Sequence, residues 1–181
     1  VEAVRYLLSH DHPVLVRDRW GSTPLDDARR EEREAVVDLV AAAEEAFHVL
    51  TIEASLDKMP EASNFVEQYT AAHSLGGIVS HRINTVLDDV LSRIITDACG
   101  GKSSHEIKLE FGLEGDSLQL VITDDGKQFD PLSTSASEAG AEPEEAVIAQ
   151  ASLKLIQGLT TAATHSRRED SNVLTLSFDT A

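Results

Sequence analysis

Apolar residues recur along this chain in two rhythms, and the change between them comes near residue 47. Val1, Val4, Leu7 and Leu8 share one helical face, and Val36, Val37, Leu39 and Val40 form the apolar side of another helix. Between them, His12 to Gly21 is bounded by Pro and Gly and reads as a loop. Thr23 then caps a helix that starts on Pro24, a position where proline's missing N–H costs nothing. Residues 1–46 are thus predicted as helix, loop, helix, helix. The pattern is already in mid-helix at Val1, so upstream sequence is expected.

From Phe47 the periodicity alternates between strand and helix. Residues 48–56 carry Val49, Leu50, Ile52 and Ala54 and predict a strand, and 61–74 predict a helix with Phe65, Val66 and Tyr69 on one side. The span Val79 to Ala98 is a long helix, its apolar residues spaced by three and four, and Gly100-Gly101 ends it. Strands at 105–112 and 118–123 flank a Glu-Gly-Asp-Ser turn. Residues 126–146 have no periodicity, and a loop of that length is usually functional or mobile. A helix over 145–159 follows, then two strands joined by Arg168-Glu169-Asp170-Ser171 and ending in Val173, Leu174, Leu176 and Phe178. This order predicts an α+β fold, a two-layer α/β sandwich with a mixed, mostly antiparallel sheet.

Charge and cysteine content narrow the function classes. The 181 residues hold 15 Lys plus Arg against 32 Asp plus Glu, a net charge of −17, with no run of five or six basic residues, so neither nucleic acid nor an anionic membrane is an expected partner. Cys99 is the sole cysteine, which rules out an internal disulfide and suits a reducing cytoplasm. The apolar runs fall well short of the roughly 20 residues that span a bilayer. No Walker loop, Gly-x-Ser-x-Gly or His-Glu-x-x-His occurs. His10-x-His12 lacks a third ligand at zinc spacing, and His73, His81 and His105 stand alone, so no metal site is expected. Trp20 reads as a packing residue.

Two family resemblances follow from particular residues. Asp18-Arg19-Trp20-Gly21-Ser22-Thr23-Pro24-Leu25-Asp26-Asp27-Ala28 resembles the start of an ankyrin repeat, in a variant found in final repeats such as those of glutaminase tails. Residues 1–46 would then be an all-α fragment of about one and a half repeats, too few to bury a continuous core alone. Over residues 47–181, Leu87-Asp88-Asp89-Val90-Leu91-Ser92-Arg93-Ile94-Ile95 resembles the long helix of the GHKL (Bergerat-type) ATPases, in their anti-sigma-factor serine-kinase branch. Val121-Ile122-Thr123-Asp124-Asp125-Gly126-Lys127-Gln128-Phe129-Asp130-Pro131 is similar to that branch's Asp-x-Gly box, and Asn172-Val173-Leu174-Thr175-Leu176 resembles its closing strands.

The second resemblance assigns roles residue by residue. It gives Asp124 the carboxylate that accepts from the adenine amino group, and Gly126 the glycine that lets the base approach. Asp89 falls where the family has its glutamate general base, one methylene short. Where the family has a magnesium-holding asparagine, this chain has Arg93, whose guanidinium has five donors and no acceptor. Asp89 and Arg93 also read as an ion pair on a solvated stripe with Thr85 and Asp97, worth about 0.3–0.5 kcal/mol, and that reading is preferred to catalysis. Counting back from Asn172 without gaps, the family's phosphate-gripping Gly-Leu-Gly at the start of the last helix falls on Gln150-Ala151-Ser152, whose β-carbons crowd a phosphate.

The expectation is therefore a regulatory protein-binding module with a degenerate histidine-kinase-like ATPase domain beside ankyrin repeats, without catalytic turnover. The alternatives are an active ATP- and Mg-dependent serine-protein kinase and anti-sigma factor, with Asp89 as base and Asp124 at adenine, or the nucleotide-sensing tail of a larger enzyme such as a glutaminase. No cofactor is expected: ATP or ADP is the ligand if any nucleotide binds, and Arg93 speaks against Mg. The expected partners are proteins, sigma-factor-like or antagonist-like, or upstream domains of the same chain. The resembled branch commonly forms dimers, so a homodimer belongs to this expectation.

Overall fold

The computed structural model describes residues 1–8, 18–19, 22–133 and 143–180. The expected loop at 12–21 lies mostly outside them, as do His10, His12, Trp20, Gly21 and residues 134–142 of the expected 126–146 loop.

Three helices open the chain: α1 (Glu2–Leu8), α2 (Pro24–Arg30) and α3 (Glu34–His48). At α2 the Thr23 hydroxyl accepts from the Asp26 N–H, and the Asp26 carboxylate accepts in return from the Thr23 N–H, 2.9 Å away, so two orphan donors are satisfied reciprocally. Leu25 and Val40, with Val4, Leu8, Val36 and Val37 packed on them, make a small apolar cluster separate from the main core. Helix α3 passes directly into the strand β1 (Val49–Glu53), so the change of pattern near residue 47 falls inside a helix and not in a linker.

The rest is a sheet with helices on one face. After a short 3-10 turn at Leu56–Lys58 come α4 (Met59–Ala72) and α5 (Gly77–Arg93), the latter prolonged by a π-helical turn over Ile94–Ala98. The hairpin β2 (Glu106–Glu114) and β3 (Ser117–Asp124) follows, then α6 (Pro143–Leu159) and the hairpin β4 (Ala162–Arg168) and β5 (Ser171–Asp179). The strand order is β1-β2-β3-β5-β4.

All four pairings are antiparallel, which corrects the mixed sheet expected from the sequence. The α6 crossover carries the chain past one strand position to the edge. There β4 runs parallel to β3 without touching it, and β5 returns between them, antiparallel to both.

Strand alternation positions the core and, at its end, the candidate site. Leu118, Leu120 and Ile122 of β3 and Leu174, Leu176 and Phe178 of β5 face the helices, where they meet Phe65, Val66 and Tyr69 of α4 and Ile83, Leu87 and Leu91 of α5. The next inward position on β3 is Asp124 and on β5 is Asn172. These two are cross-strand partners, and both are buried. Among the described residues, no helix is long and apolar enough to cross a membrane.

Candidate functional site

A polar row closes the inward face of the sheet. The register runs Ile107, Asp124, Asn172, Arg167 across β2, β3, β5 and β4. Asp124 Oδ1 accepts from Asn172 Nδ2 at 2.7 Å and from the Gly126 N–H at 3.0 Å. Asn172 Nδ2 also donates to the Lys127 carbonyl, while its Oδ1 accepts from Arg167 Nη1 and from the Phe129 N–H. The amide thereby uses both donors and both lone pairs. Arg167 Nη1 reaches the Gly126 carbonyl at 2.9 Å. The turn after β3 is thus tied to β4 and β5 by its own backbone.

Burial raises the Asp124 carboxyl above the ordinary carboxylate range, while the hydrogen bonds from Asn172 and Gly126 pull the other way. An ionised group whose pKa is raised by folding costs stability once pH exceeds its unfolded value, near 3.8. Asp124→Asn keeps an Oδ1 for both donors and removes the charge. Its melting temperature is expected to equal or exceed the parent's at pH 7, with the difference shrinking as pH falls toward 4. Asp124→Ala leaves both donors unpaired and is expected to cost about 2 kcal/mol. Thermal melts at pH 4 and pH 7 check both.

Gly126 is governed by its neighbours on the long helix. A Cβ there would lie 2.8 Å from the backbone carbon and oxygen of Ala98 and 2.9 Å from its Cβ. The Lys127 N–H donates to that same Ala98 carbonyl at 3.0 Å. Close approach of the protein's own backbone is thus sufficient to require glycine. Beside this contact, burial and the two carboxylates Asp124 and Asp125 push the Cys99 thiol up to about 11, so it stays protonated and unreactive at neutral pH.

The second arrangement lies between α5 and α6. The Ser152 hydroxyl donates to Asp89 Oδ2, and Arg93 Nη1 donates to Ser152 Oγ at 2.8 Å. The same Nη1 donates to the Pro131 carbonyl at 2.8 Å, and the guanidinium lies 5.3 Å from the centre of the Phe129 ring. One arginine therefore joins α5, α6 and the segment that leaves the Asp-x-Gly turn.

This corrects the expectation of a solvated stripe. Asp97 is exposed, and the Thr85 hydroxyl donates to the His81 carbonyl, but Asp89 and Arg93 are half-buried and meet through Ser152 because α6 packs across that part of α5. Residues 150–152 also lie two turns inside α6, which begins at Pro143. Their backbone N–H groups belong to the helix and are not the orphan donors of a helix start.

The sequence points to Asp89, Arg93, Asp124 and Gly126 only through the resemblance, and it gives no role to Asn172, Arg167 or the Ser152 hydroxyl. Asn172 was legible in it: the parity of Leu174, Leu176 and Phe178 puts residue 172 on the inward face.

Comparison with known proteins sets these arrangements in a family. The histidine kinase domain of a blue-light activated histidine kinase from Erythrobacter litoralis is 12% identical, with 99% of this chain and 96% of that one covered and a TM-score of 0.42. Histidine kinase AdeS of Acinetobacter baumannii is 11% identical, covering 99% and 92%, with a TM-score of 0.40. A histidine kinase from Burkholderia phymatum is 15% identical, covering 99% and 95%, with a TM-score of 0.40. No curated protein matches the chain. The family described as the histidine kinase-like ATPase domain matches residues 52–178, a span that includes both polar arrangements. By that match over more than half of its length, this chain belongs to the histidine kinase-like ATPase domain family.

Proposed function

We propose that this chain is a regulatory protein-binding module that keeps the histidine-kinase-like ATPase fold and has lost phosphoryl transfer. The observation that carries the reading is the Asp89–Ser152–Arg93 bridge. A magnesium ion needs a near-octahedral shell of oxygen ligands, and the family's ligand position here holds a cation already engaged with Ser152 and the Pro131 carbonyl. The residues therefore do not fit magnesium. The candidate base fares no better, since Asp89 accepts a hydrogen bond from the Ser152 hydroxyl and so already has a hydroxyl partner from its own chain.

In this reading the protein resembles anti-sigma factors in architecture and acts by binding a protein, sigma-factor-like or antagonist-like, or another part of the same chain. Residues 1–46 would be the end of an ankyrin array, usually a binding surface, and 47–181 the ATPase-like domain. The capping box at Thr23 and the separate cluster around Leu25 and Val40 support a distinct helical unit there.

Isothermal titration of the purified chain with ATP and ADP, with and without magnesium, tests the proposal. No heat at millimolar nucleotide is expected. Micromolar affinity strengthened by magnesium would overturn the reading in favour of an active kinase.

A further inference from the structure

Two histidines and a tyrosine meet where the N-terminal helices join the sheet domain. His48 is the last residue of α3, and Tyr69 and His73 stand one turn apart at the end of α4. The His73 ring stacks on Tyr69 with centroids 4.1 Å apart, and Tyr69 stacks in turn on Phe111 at 4.3 Å. His48 completes the group, edge-on to Tyr69 at 5.4 Å and tilted to His73 at 5.7 Å. His73 Nδ1 lies 2.9 Å from the Tyr69 carbonyl. A carbonyl only accepts, so Nδ1 carries the proton and Nε2 is left to take up a second one.

From this geometry we propose that the His48–Tyr69–His73 stack is an acid-sensitive coupling, which holds α3 on α4 while the imidazoles are neutral and loosens when both are protonated. One charge is tolerated, because an imidazolium over the Tyr69 face gains from the ring quadrupole. The second places two like charges side by side in a half-buried contact. The proposal is independent of whether nucleotide binds.

Among the described side chains neither imidazole is in an ion pair with a carboxylate. On α4 the facing titratable groups are His73 and Tyr69, and burial pushes the Tyr69 phenol up to about 12, so it stays neutral. On β2 the inward residue is Phe111, whereas Lys108 and Glu110 have the opposite parity and pair with each other at 2.8 Å. Next to His48 on β1 come Val49 and Leu50, and the strand's one carboxylate, Glu53, stands at its far end and is exposed. On α3 itself Glu44 and Glu45 precede His48 in the helix. Burial first, and then His73, hold the His48 imidazole below its ordinary value of 6.5. A pKa lowered by docking means that the undocked state takes up the proton first. Docking is therefore at full strength above about pH 6.5 and weakens as pH falls below it.

Amide hydrogen exchange of the full chain at pH 7.5 and 5.0, corrected for intrinsic rates, reads the coupling directly. Protection in α3 is expected to fall at least about tenfold at the lower pH while α5 and β3 keep theirs, and histidine ring NMR should show His48 titrating below an ordinary histidine. His73→Phe preserves the stack and should abolish the loss, with His48→Gln as the second variant should the first not fold. Equal α3 protection at both pH values, or a loss that persists in the variant, overturns the proposal.

Discussion

Gly126→Ala is expected to melt roughly 6–12 °C below the parent in the complete absence of nucleotide, a loss of about 3 kcal/mol. Gly126 is not among the glycines with positive φ, so backbone conformation is not what it supplies. What it supplies is room: the new methyl would stand 2.8 Å from two backbone atoms of Ala98. Those atoms cannot yield cheaply, because the Ala98 carbonyl accepts from the Lys127 N–H, and the following backbone is held by Gly101 N–H on the Ile95 carbonyl at 2.7 Å. Gly115→Ala is the matched control. Its φ is +58° but nothing lies within 4 Å of the new Cβ, so it should cost only about 1 kcal/mol of local strain. Calorimetry of the two variants separates the causes. If Gly126→Ala melts with the parent, the contact with Ala98 is not what demands glycine there, and ligand approach regains its place as the reason.

The same contact shows which features the sequence could reveal. Elements with a strong period were legible to within a few residues, as for the helix over Val79–Ala98 and the hairpin of strands at 105–112 and 118–123, because burial of one face dictates the spacing. The π-helical turn at Ile94–Ala98 was not. One extra residue in a turn leaves Ile94 and Ile95 apolar and inward, so the pattern is undisturbed while the Cys99 N–H shifts to the Ile94 carbonyl and the end of the helix is re-aimed toward Gly126. Asp124 was legible as the box residue of a resembled family, and parity alone would have added its partner Asn172. Arg167 and Ser152 were beyond reach for a different reason. Arg167 acts through the order in which β4 and β5 lie, and Ser152 meets Asp89 across 63 residues of chain, so both depend on how elements dock. A gap-free count marks Ser152 only as a missing glycine. The docked structure makes it the link between a carboxylate and a guanidinium.

That link gives Arg93→Ala the other large expected effect, about 3 kcal/mol and a melting temperature lower by roughly 6–12 °C. The substitution strips the Pro131 carbonyl and Ser152 Oγ of their donor, removes the cation from Phe129 and takes away the guanidinium that reaches the half-buried Asp89 through Ser152. If the arginine acts through that carboxylate, the penalties cannot add. Asp89→Asn in the Arg93→Ala background should restore about 1 kcal/mol or more, although Asp89→Asn alone destabilises the parent, and this coupling in a double-mutant cycle is the signature of the bridge. A solvated helical pair would instead give single losses of a few tenths of a kcal/mol and nearly additive doubles. Arg93→Asn extends the argument to chemistry. It supplies the residue that the resembled branch has at that position, yet Gln150, Ala151 and Ser152 remain inside α6 with their N–H groups spent on the helix, so no grip on phosphate is expected. Phosphate transfer to a serine-containing protein by Arg93→Asn, measured with labelled ATP and magnesium, is expected to stay at background. Turnover above background would contradict the proposed loss of phosphoryl transfer at both ends of the pocket and leave Arg93 as its sole cause.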